Sequence, residues 1–544
     1  MKKFIRINWP LIISTVLLFT TIAGILIYYF QSNNSPFVYP LDDTYIHMAL
    51  AKNLSQHGIF GVSKYEFTFS SSSILWTLLL AFIYRLFGVH DIIPFSLNIV
   101  FSFLALVLIH NILKKYITNR VFIFLLMIAI LYLSSVPLLI FQGMEHILQM
   151  TIAIAFVYLV SSLLSKEEFS TGDTHSRLML IIVPFVTLVR YEGLFLIFVV
   201  CILLALRKHF GYGLVLGVLA ITPLLIFSII SWGHGWYPFP NSVILKGTRP
   251  SDLHSIQGVY SYFMMGIWRI FTHLHIHNCI LAGLSLYIIN TIRNKYGDIS
   301  QIMLILFLVV CMLHTQFGRV GAMYWFRYEA YLIAVAIIAI GLALRNDVSK
   351  INVSRFTKRS ICFSVAVALY GFILIWPLGA NGKSTLTKIP IAMKNIHDQH
   401  VQMGLFLSKY YQDQGVAAND IGAINYLADV KNLDLYGIGS IEVARLRLNK
   451  NFNTQTIYNL AKTKNIKIAI VYDFWYEDYG GLPSAWIKVG EWTISNNVAC
   501  GSSTVAFYAV ERSEARTLFH HLESFAPALP ESVRQTLLYH PQVH

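Results

Sequence analysis

The stretch SILWTLLLAFIYRLF, residues 73–87, decides how this chain is threaded. It is apolar, but Ile74 to Phe87 is only about 14 residues long and contains Arg85, whereas a helix that crosses a bilayer needs about 20 mostly apolar residues. Read as an interfacial helix, it is left out of the crossings. The remaining candidate spans are about 10–30, 93–113, 121–140, 145–164, 178–190, 193–206, 211–231, 277–292, 300–317, 327–344 and 360–378, about eleven in all. With the N-terminus inside, the inner segments hold 17 Lys and Arg against five Asp and Glu, and the outer loops up to residue 379 hold nine against eight. Counting 74–87 as a crossing would put Lys114, Lys115 and Arg120 outside, against the positive-inside rule. The loop from about 31 to 91 is therefore expected on the outer face, and eleven crossings carry everything beyond residue 379 to the same side.

The composition agrees with this threading. The 544 residues are 56% hydrophobic and 12% charged, with mean hydropathy +0.60, where a soluble domain carries about 25% charged residues. An ordinary soluble enzyme is excluded. The net charge of +14 would suggest nucleic acid in a soluble protein, but the excess lies on the inner face and orients helices, so nucleic acid is excluded as a partner. From residue 380 the balance is ordinary, 15 basic to 14 acidic residues. The chain thus divides into a multi-pass membrane domain, 1–379, and a soluble α/β domain, 380–544. The run from Pro10 to Phe30 is too long for a signal-peptide core and no A-x-A site follows it; it is expected to be a retained first span. Cys201, Cys279, Cys311 and Cys362 fall in apolar segments, Cys500 falls in the soluble part, and their spacing matches no zinc motif.

The polar chemistry gathers in the outer loops. VYPLDDTYIHMALAKNLSQHGIFG, residues 38–61, places Asp42 and Asp43 at the start of a helix expected from about Thr44 to Leu54. Either they cap that helix, or one carboxylate takes the proton of an attacking hydroxyl; consecutive side chains on a helix point about 100° apart and need not share a role. A divalent cation at the pair is left open. FQGMEH offers Glu145, and VRYEG offers Arg190, Tyr191 and Glu192. WYPFPNSVILK, with Pro238 and Pro240, offers Asn241 and Lys246 as contacts for a sugar or phosphate. FGRVGAMYWFRYEAY offers Arg319, Arg327, Tyr328 and Glu329; Arg suits bidentate phosphate binding, and an ion pair of Arg327 with Glu192 or Glu329 is the structural alternative. His273, His275 and His277 alternate, which puts them on one face only in a strand, and their segment enters a helix.

In the soluble part, Ala392 to Tyr411 reads as a helix, and IKIAIVYDFWY, WIKVGEWTI and STVAFYAVE read as strands. Gly422, Gly437 and Gly439 form no phosphate loop. Trp475, Tyr476 and Trp486 are either core aromatics or glycan contacts.

Taken in order, these segments resemble the GT-C class of integral-membrane glycosyltransferases, and within it the branch of the mycobacterial terminal arabinofuranosyltransferases. LDDTYIHMALAKNLSQHGIFG is similar to that branch's Asp-Asp helix, SSSILWTLLLAFIYRLFG to the interfacial segment after it, GMEH to a Gly-Leu-Glu, VRYEG to an Arg-Pro-Glu-Gly, YPFPNSVILK to a Pro-Leu-Pro-Asn-Thr with a later Lys, and FRYEAYL to an Arg-Tyr-Leu pattern. DIGAINYLADVKNLDLYGIGS is similar to the class's C-terminal domain. The resemblance implies sugar transfer from a polyprenyl-phosphate donor to an envelope glycan or glycolipid on the outer side of the bacterial cytoplasmic membrane. Asp42 and Asp43 would be catalytic, Lys246 and Arg327 would bind the donor phosphate, and Tyr328, Arg190, Glu192, Glu145 and Asn241 would complete the substrate site. Two motifs depart: FTFSSSS stands where the class has Tyr-Thr-Ser-Pro, and Tyr191 where it has Pro. The competing function is a transporter or flippase for a lipid-linked glycan; transporters place ionisable groups near the midplane of repeated, interrupted helices, and here they collect in outer loops.

Overall fold

A computed structural model describes residues 2–33, 35–166, 168, 170–247, 255–293, 297–321, 325–349 and 358–539; the side chains of 2–6, 358–370, 373 and 374 are left aside, so Cys362 lies outside the description. The helical part consists of α1 (Lys2–Asn33), α2 (Asp42–His57), α3 (Ile74–Phe87), α4 (Ile93–Tyr116), α5 (Arg120–Leu133), α6 (Val136–Gln142), α7 (His146–Leu164), α8 (Thr174–Val189), α9 (Gly193–Leu206), α10 (Phe210–Gly233), α11 (Asn241–Lys246), α12 (Ile256–Thr272), α13 (Leu274–Ile292), α14 (Ile299–Phe317), α15 (Ala330–Ser349) and α16 (Lys358–Ile396). Each of the eleven expected ranges falls on one of these helices or, at 121–140, on the pair α5–α6. Among the described residues, seven helices are long and apolar enough to cross a membrane: α1 from Ile7, α4, α7, α10, α13, α14 and α15. The pair α5–α6 makes an eighth, bent by 43° where Ser135 adopts φ 55 and Pro137 opens α6 without a backbone N–H. α8 and α9 are apolar but shorter, as is α3.

α3 forms because Ser73 caps it, its Oγ accepting from Trp76 N at 3.2 Å. One face, with Trp76, Leu80 and Tyr84, is buried with Ala51 of α2, Leu148 of α7 and Val189 of α8, while Phe82, Leu86 and Phe87 stay exposed. α2 begins at Asp42 and stops at Gly58, which takes φ 72 and donates to Leu54 O at 3.1 Å. Its capping position is Leu41, with no side-chain cap. The aspartates therefore occupy the first turn instead of capping it.

α16 runs unbroken through residue 380, so the division expected at 379/380 falls inside a helix. After a π-helical turn (His397–Val401) and α17 (Gln402–Tyr410) come β1 (Gly415–Ala418), α18 (Gly422–Leu427), β2 (Lys431–Asp434), α19 (Ile441–Leu448), α20 (Thr454–Thr463), β3 (Ile466–Val471), β4 (Ile487–Thr493), β5 (Thr504–Ala509), α21 (Glu514–Phe525) and β6 (Arg534–Leu537). The sheet order is β2-β1-β3-β5-β4-β6, with β2, β1 and β3 parallel and the rest antiparallel. Phe406, Trp492, Phe507 and Phe525 pack on one face; Leu433, Ile457, Tyr476 and Trp486 pack on the other. Tyr476 and Trp486 are thus core residues rather than a glycan platform.

This domain sits directly on α2. Lys52 donates to Tyr426 O at 3.0 Å, the rings of Tyr45 and Tyr426 meet at 5.8 Å, and Asn241 Nδ2 donates to Gly437 O at 2.8 Å. The closest approach is at Gly422, where an added Cβ would lie 2.1 Å from the Asp42 carbonyl oxygen. Gly422→Ala is expected to destabilise the folded protein by about 1–3 kcal/mol through overpacking, read as earlier thermal unfolding of the full chain in detergent.

Candidate active site

Beside α2 a cavity of about 260 Å³ opens between α9, α11 and α14. Its polar wall includes Asp43, His47, Arg190, Glu192, Lys246, Arg319 and Tyr328, and its apolar wall includes Leu194, Phe195, Phe239 and Phe317. Asp43 and His47 share the wall because residues four apart lie on one side of a helix. Lys246 arrives at the end of α11, a single turn started by Pro240.

Asp43 is held by two cations. Lys246 Nζ lies 3.3 Å from Oδ1 and Arg327 Nη2 lies 2.5 Å from Oδ2. Burial opposes ionisation of Asp43, but the Lys246 ammonium and Arg327 guanidinium outweigh it and hold the carboxyl well below the usual carboxylate range. Burial likewise works against the Lys246 charge, and Asp43 reverses that and raises its pKa. Two guanidinium groups lie over the Tyr328 ring, Arg190 4.8 Å and Arg327 5.0 Å from its centre.

A second charge set underlies the first. Arg190 grips Glu192 with a fork, Nη2 to Oε1 at 2.7 Å and Nε to Oε2 at 3.0 Å, and reaches Glu145 Oε1 through Nη1 at 2.5 Å. Glu145 is fully buried and does not line the cavity. It braces the wall, with His47 Nε2 3.6 Å from its Oε2.

The expected residues therefore separate. Asp43, Lys246, Tyr328, Arg190 and Glu192 line the cavity, and Arg327 touches it through Asp43. Asp42 turns away: its Oδ2 accepts from Gly422 N and its Oδ1 from Ala423 N, each at 2.8 Å, so it caps α18 of the C-terminal domain. Asn241 is fully buried against Gly437 and does not line the cavity. Arg327 pairs with Asp43 rather than with Glu192 or Glu329. Glu329 accepts instead from Gly321 N at 3.0 Å and contacts His275 Nε2 at 2.9 Å. His275 is thus committed to a carboxylate on a helix, and among the described residues no metal cluster gathers His273, His275 and His277. His47 was missed although its spacing from Asp43 announced it; His400 and Asp420, both close to Asp42, carried no local signal. Arg190→Leu is expected to cost about 3–5 kcal/mol, because Glu145 is left buried beside no guanidinium. Chemical unfolding in detergent measures it, and restoring balance with Glu145→Gln on the same chain recovers part of the loss.

Residues 394–508 match a family model described as a domain of unknown function, DUF8728. No curated protein matches the chain. Among solved structures, ArnT from Cupriavidus metallidurans in the apo state aligns with a TM-score of 0.50 at 12% identity, covering 92% of this chain and 99% of that one. ArnT from the same organism bound to undecaprenyl phosphate gives the same values, TM-score 0.50, 12% identity, 92% and 99%. The Archaeoglobus fulgidus oligosaccharyltransferase in the apo form gives a TM-score of 0.50 at 14% identity, covering 93% of this chain and 75% of that one. Identities this low speak of fold, and function has to come from the site. With its apolar helices, its helical loop segment beside the cavity and its C-terminal domain, the chain is a multi-pass membrane protein with a GT-C-like fold.

Proposed function

We propose that the protein is a membrane glycosyltransferase that takes a sugar from a polyprenyl-phosphate donor and passes it to a hydroxyl of an envelope glycan or glycolipid. The observation that carries this reading is Asp43, a carboxylate poised in the cavity between Lys246 and Arg327 and facing an apolar wall. Two cations beside a carboxylate match a phosphate, and Phe195, Phe239 and Phe317 match the start of a prenyl chain. The solved ArnT bound to undecaprenyl phosphate supports that class of donor. By the charge of its loops the chain sits in the bacterial cytoplasmic membrane with its N-terminus inside and residues 380–544 outside, over the cavity.

The resting ion pairs suggest an order of events. An arriving donor phosphate takes over Lys246 and Arg327, and Asp43 loses its counter-charges and becomes a stronger base. Asp43 then accepts the proton of the acceptor hydroxyl while that oxygen bonds to the anomeric carbon. The bond from that carbon to the phosphate oxygen breaks, and its electron pair leaves with the polyprenyl phosphate, whose added charge the two cations stabilise. Tyr328 and the Arg190–Glu192 fork line the sugar pocket, and Asp42 holds the C-terminal domain in place.

In membranes supplied with labelled polyprenyl-phosphate sugars, Asp43→Asn is expected to lower transfer by about 10² to 10⁴ at unchanged expression, and Lys246→Ala to raise the donor KM. Transfer that survives Asp43→Asn would remove the base assignment. The pH profile has a definite sign: Lys246→Met takes away a cation that depresses the Asp43 pKa, so the acid limb of the kcat/KM profile measured on residual activity moves to higher pH.

A further inference from the structure

The transfer scheme leaves unused a polar cluster on the far side of α2, at the point where the C-terminal sheet reverses its order. From β1 the chain moves to β2 on one side and then to β3 on the other, and both neighbours are parallel to β1. In open α/β sheets the crevice beyond the strand ends at such a point is where ligands bind. Here Asn419 and Asp420 follow β1, and Tyr472 follows β3. Two side chains enter the crevice from outside the sheet: Asp42 from α2 and His400 from the π-helical turn His397–Val401. Single π-turns within longer helices re-aim a side chain and recur at functional sites.

The hydrogen bonds around His400 place one proton on Nε2. Gln399 Nε2 donates to Ser502 O at 3.1 Å, so Gln399 Oε1 is the acceptor for the Tyr472 hydroxyl at 2.7 Å. The Tyr472 oxygen then accepts from His400 Nε2–H at 3.2 Å. A neutral imidazole protonated at Nε2 presents a bare lone pair at Nδ1. That nitrogen belongs to a residue only 2% exposed, has no hydrogen-bond partner, and faces Asp42 Oδ1 at 3.0 Å. Two acceptors this close repel unless a positive charge joins them. Asp420 brings a third donor atom, its Oδ2 3.7 Å from His400 Nε2, and one ligand atom from each of Asp42, His400 and Asp420 lies within 4.8 Å of the others.

We propose that Asp42, His400 and Asp420 form a divalent-cation site that ties α2 to the C-terminal domain. Ligand atoms about 2.1 Å from a metal lie about 3.0 Å from each other at octahedral angles and about 3.4 Å at tetrahedral ones, so the 3.0 Å between His400 Nδ1 and Asp42 Oδ1 is close to what a shared ion requires. One imidazole with two carboxylates suits Zn²⁺ or Mn²⁺. The supporting shell is in place: Tyr472 fixes the imidazole, Asn419 Nδ2 donates to Asp420 Oδ2 at 3.1 Å, and the α18 amides orient Asp42. The site stands one residue from Asp43, so its occupancy would set the first turn of α2 without touching the donor.

The test uses the full chain in detergent, stripped with chelator and titrated with Zn²⁺ or Mn²⁺ alone. The expected result is about one equivalent bound per chain by elemental analysis and a rise in unfolding temperature that chelator reverses. Asp420→Asn and His400→Gln should each weaken binding about tenfold or more, with the exposed His520→Ala as an unaffected control. If either variant fails to fold, the chelator and re-addition cycle on the parent still decides. A parent that binds neither ion, variants that bind as the parent does, or an NMR spectrum in which His400 carries protons on both nitrogens at neutral pH would overturn the site, the last in favour of a proton bridging His400 and Asp42. None of these readouts involves sugar transfer, so the cation site and the glycosyltransferase reading stand or fall separately.

Discussion

Two consecutive carboxylates on the first turn of one helix cannot look the same way, and the architecture around α2 follows from that constraint. About 100° of rotation separates them. Asp43 meets Lys246 and Arg327 in the cavity, while Asp42 meets the amides of Gly422 and Ala423 in another domain. One side of the turn builds a charged site and the other side closes a domain interface. Asp42 thus ties the first turn of α2, and with it Asp43, to the C-terminal domain.

The charges around the cavity are arranged in two tiers with different consequences. In the deeper tier Arg190 pairs with both Glu145 and Glu192, and removing one partner leaves an uncompensated charge in a buried place. In the upper tier the pairing is one carboxylate to two cations, a local surplus of positive charge that an anionic ligand would complete. Tyr328 lies between the tiers with a guanidinium near its ring from each. A rigid lower tier keeps the upper one in position, so that little has to rearrange when a phosphate enters.

The apolar helices were legible because they depend on quantities that the chain carries locally. The stretch from Ile74 to Phe87 was expected as a short apolar helix, and α3 forms over those 14 residues. Lys114, Lys115 and Arg120 argue for one face because the cost of moving charge across a bilayer does not depend on the fold. The cavity was legible in part. Asp43, Lys246, Arg190, Glu192 and Tyr328 stood out as polar residues at the ends of apolar runs, and they meet. Asn241 and Glu145 stood out for the same reason and yet serve as a docking contact and a brace. A motif records that a polar residue is present in a loop; whether it faces a cavity depends on the packing behind it.

By itself the sequence determined the membrane character of the chain, the division between an apolar part and an ordinary one, and the loops in which its chemistry gathers, since hydropathy, span length and charge are sums over neighbouring residues. Only the tertiary structure decided which aspartate enters the cavity, which cations pair with it, and that His400 and Asp420 come to Asp42 from more than 350 positions away. Those pairings are set by how α2, the π-turn and the ends of β1 and β3 pack in space, and no local pattern along the chain encodes contacts over such separations.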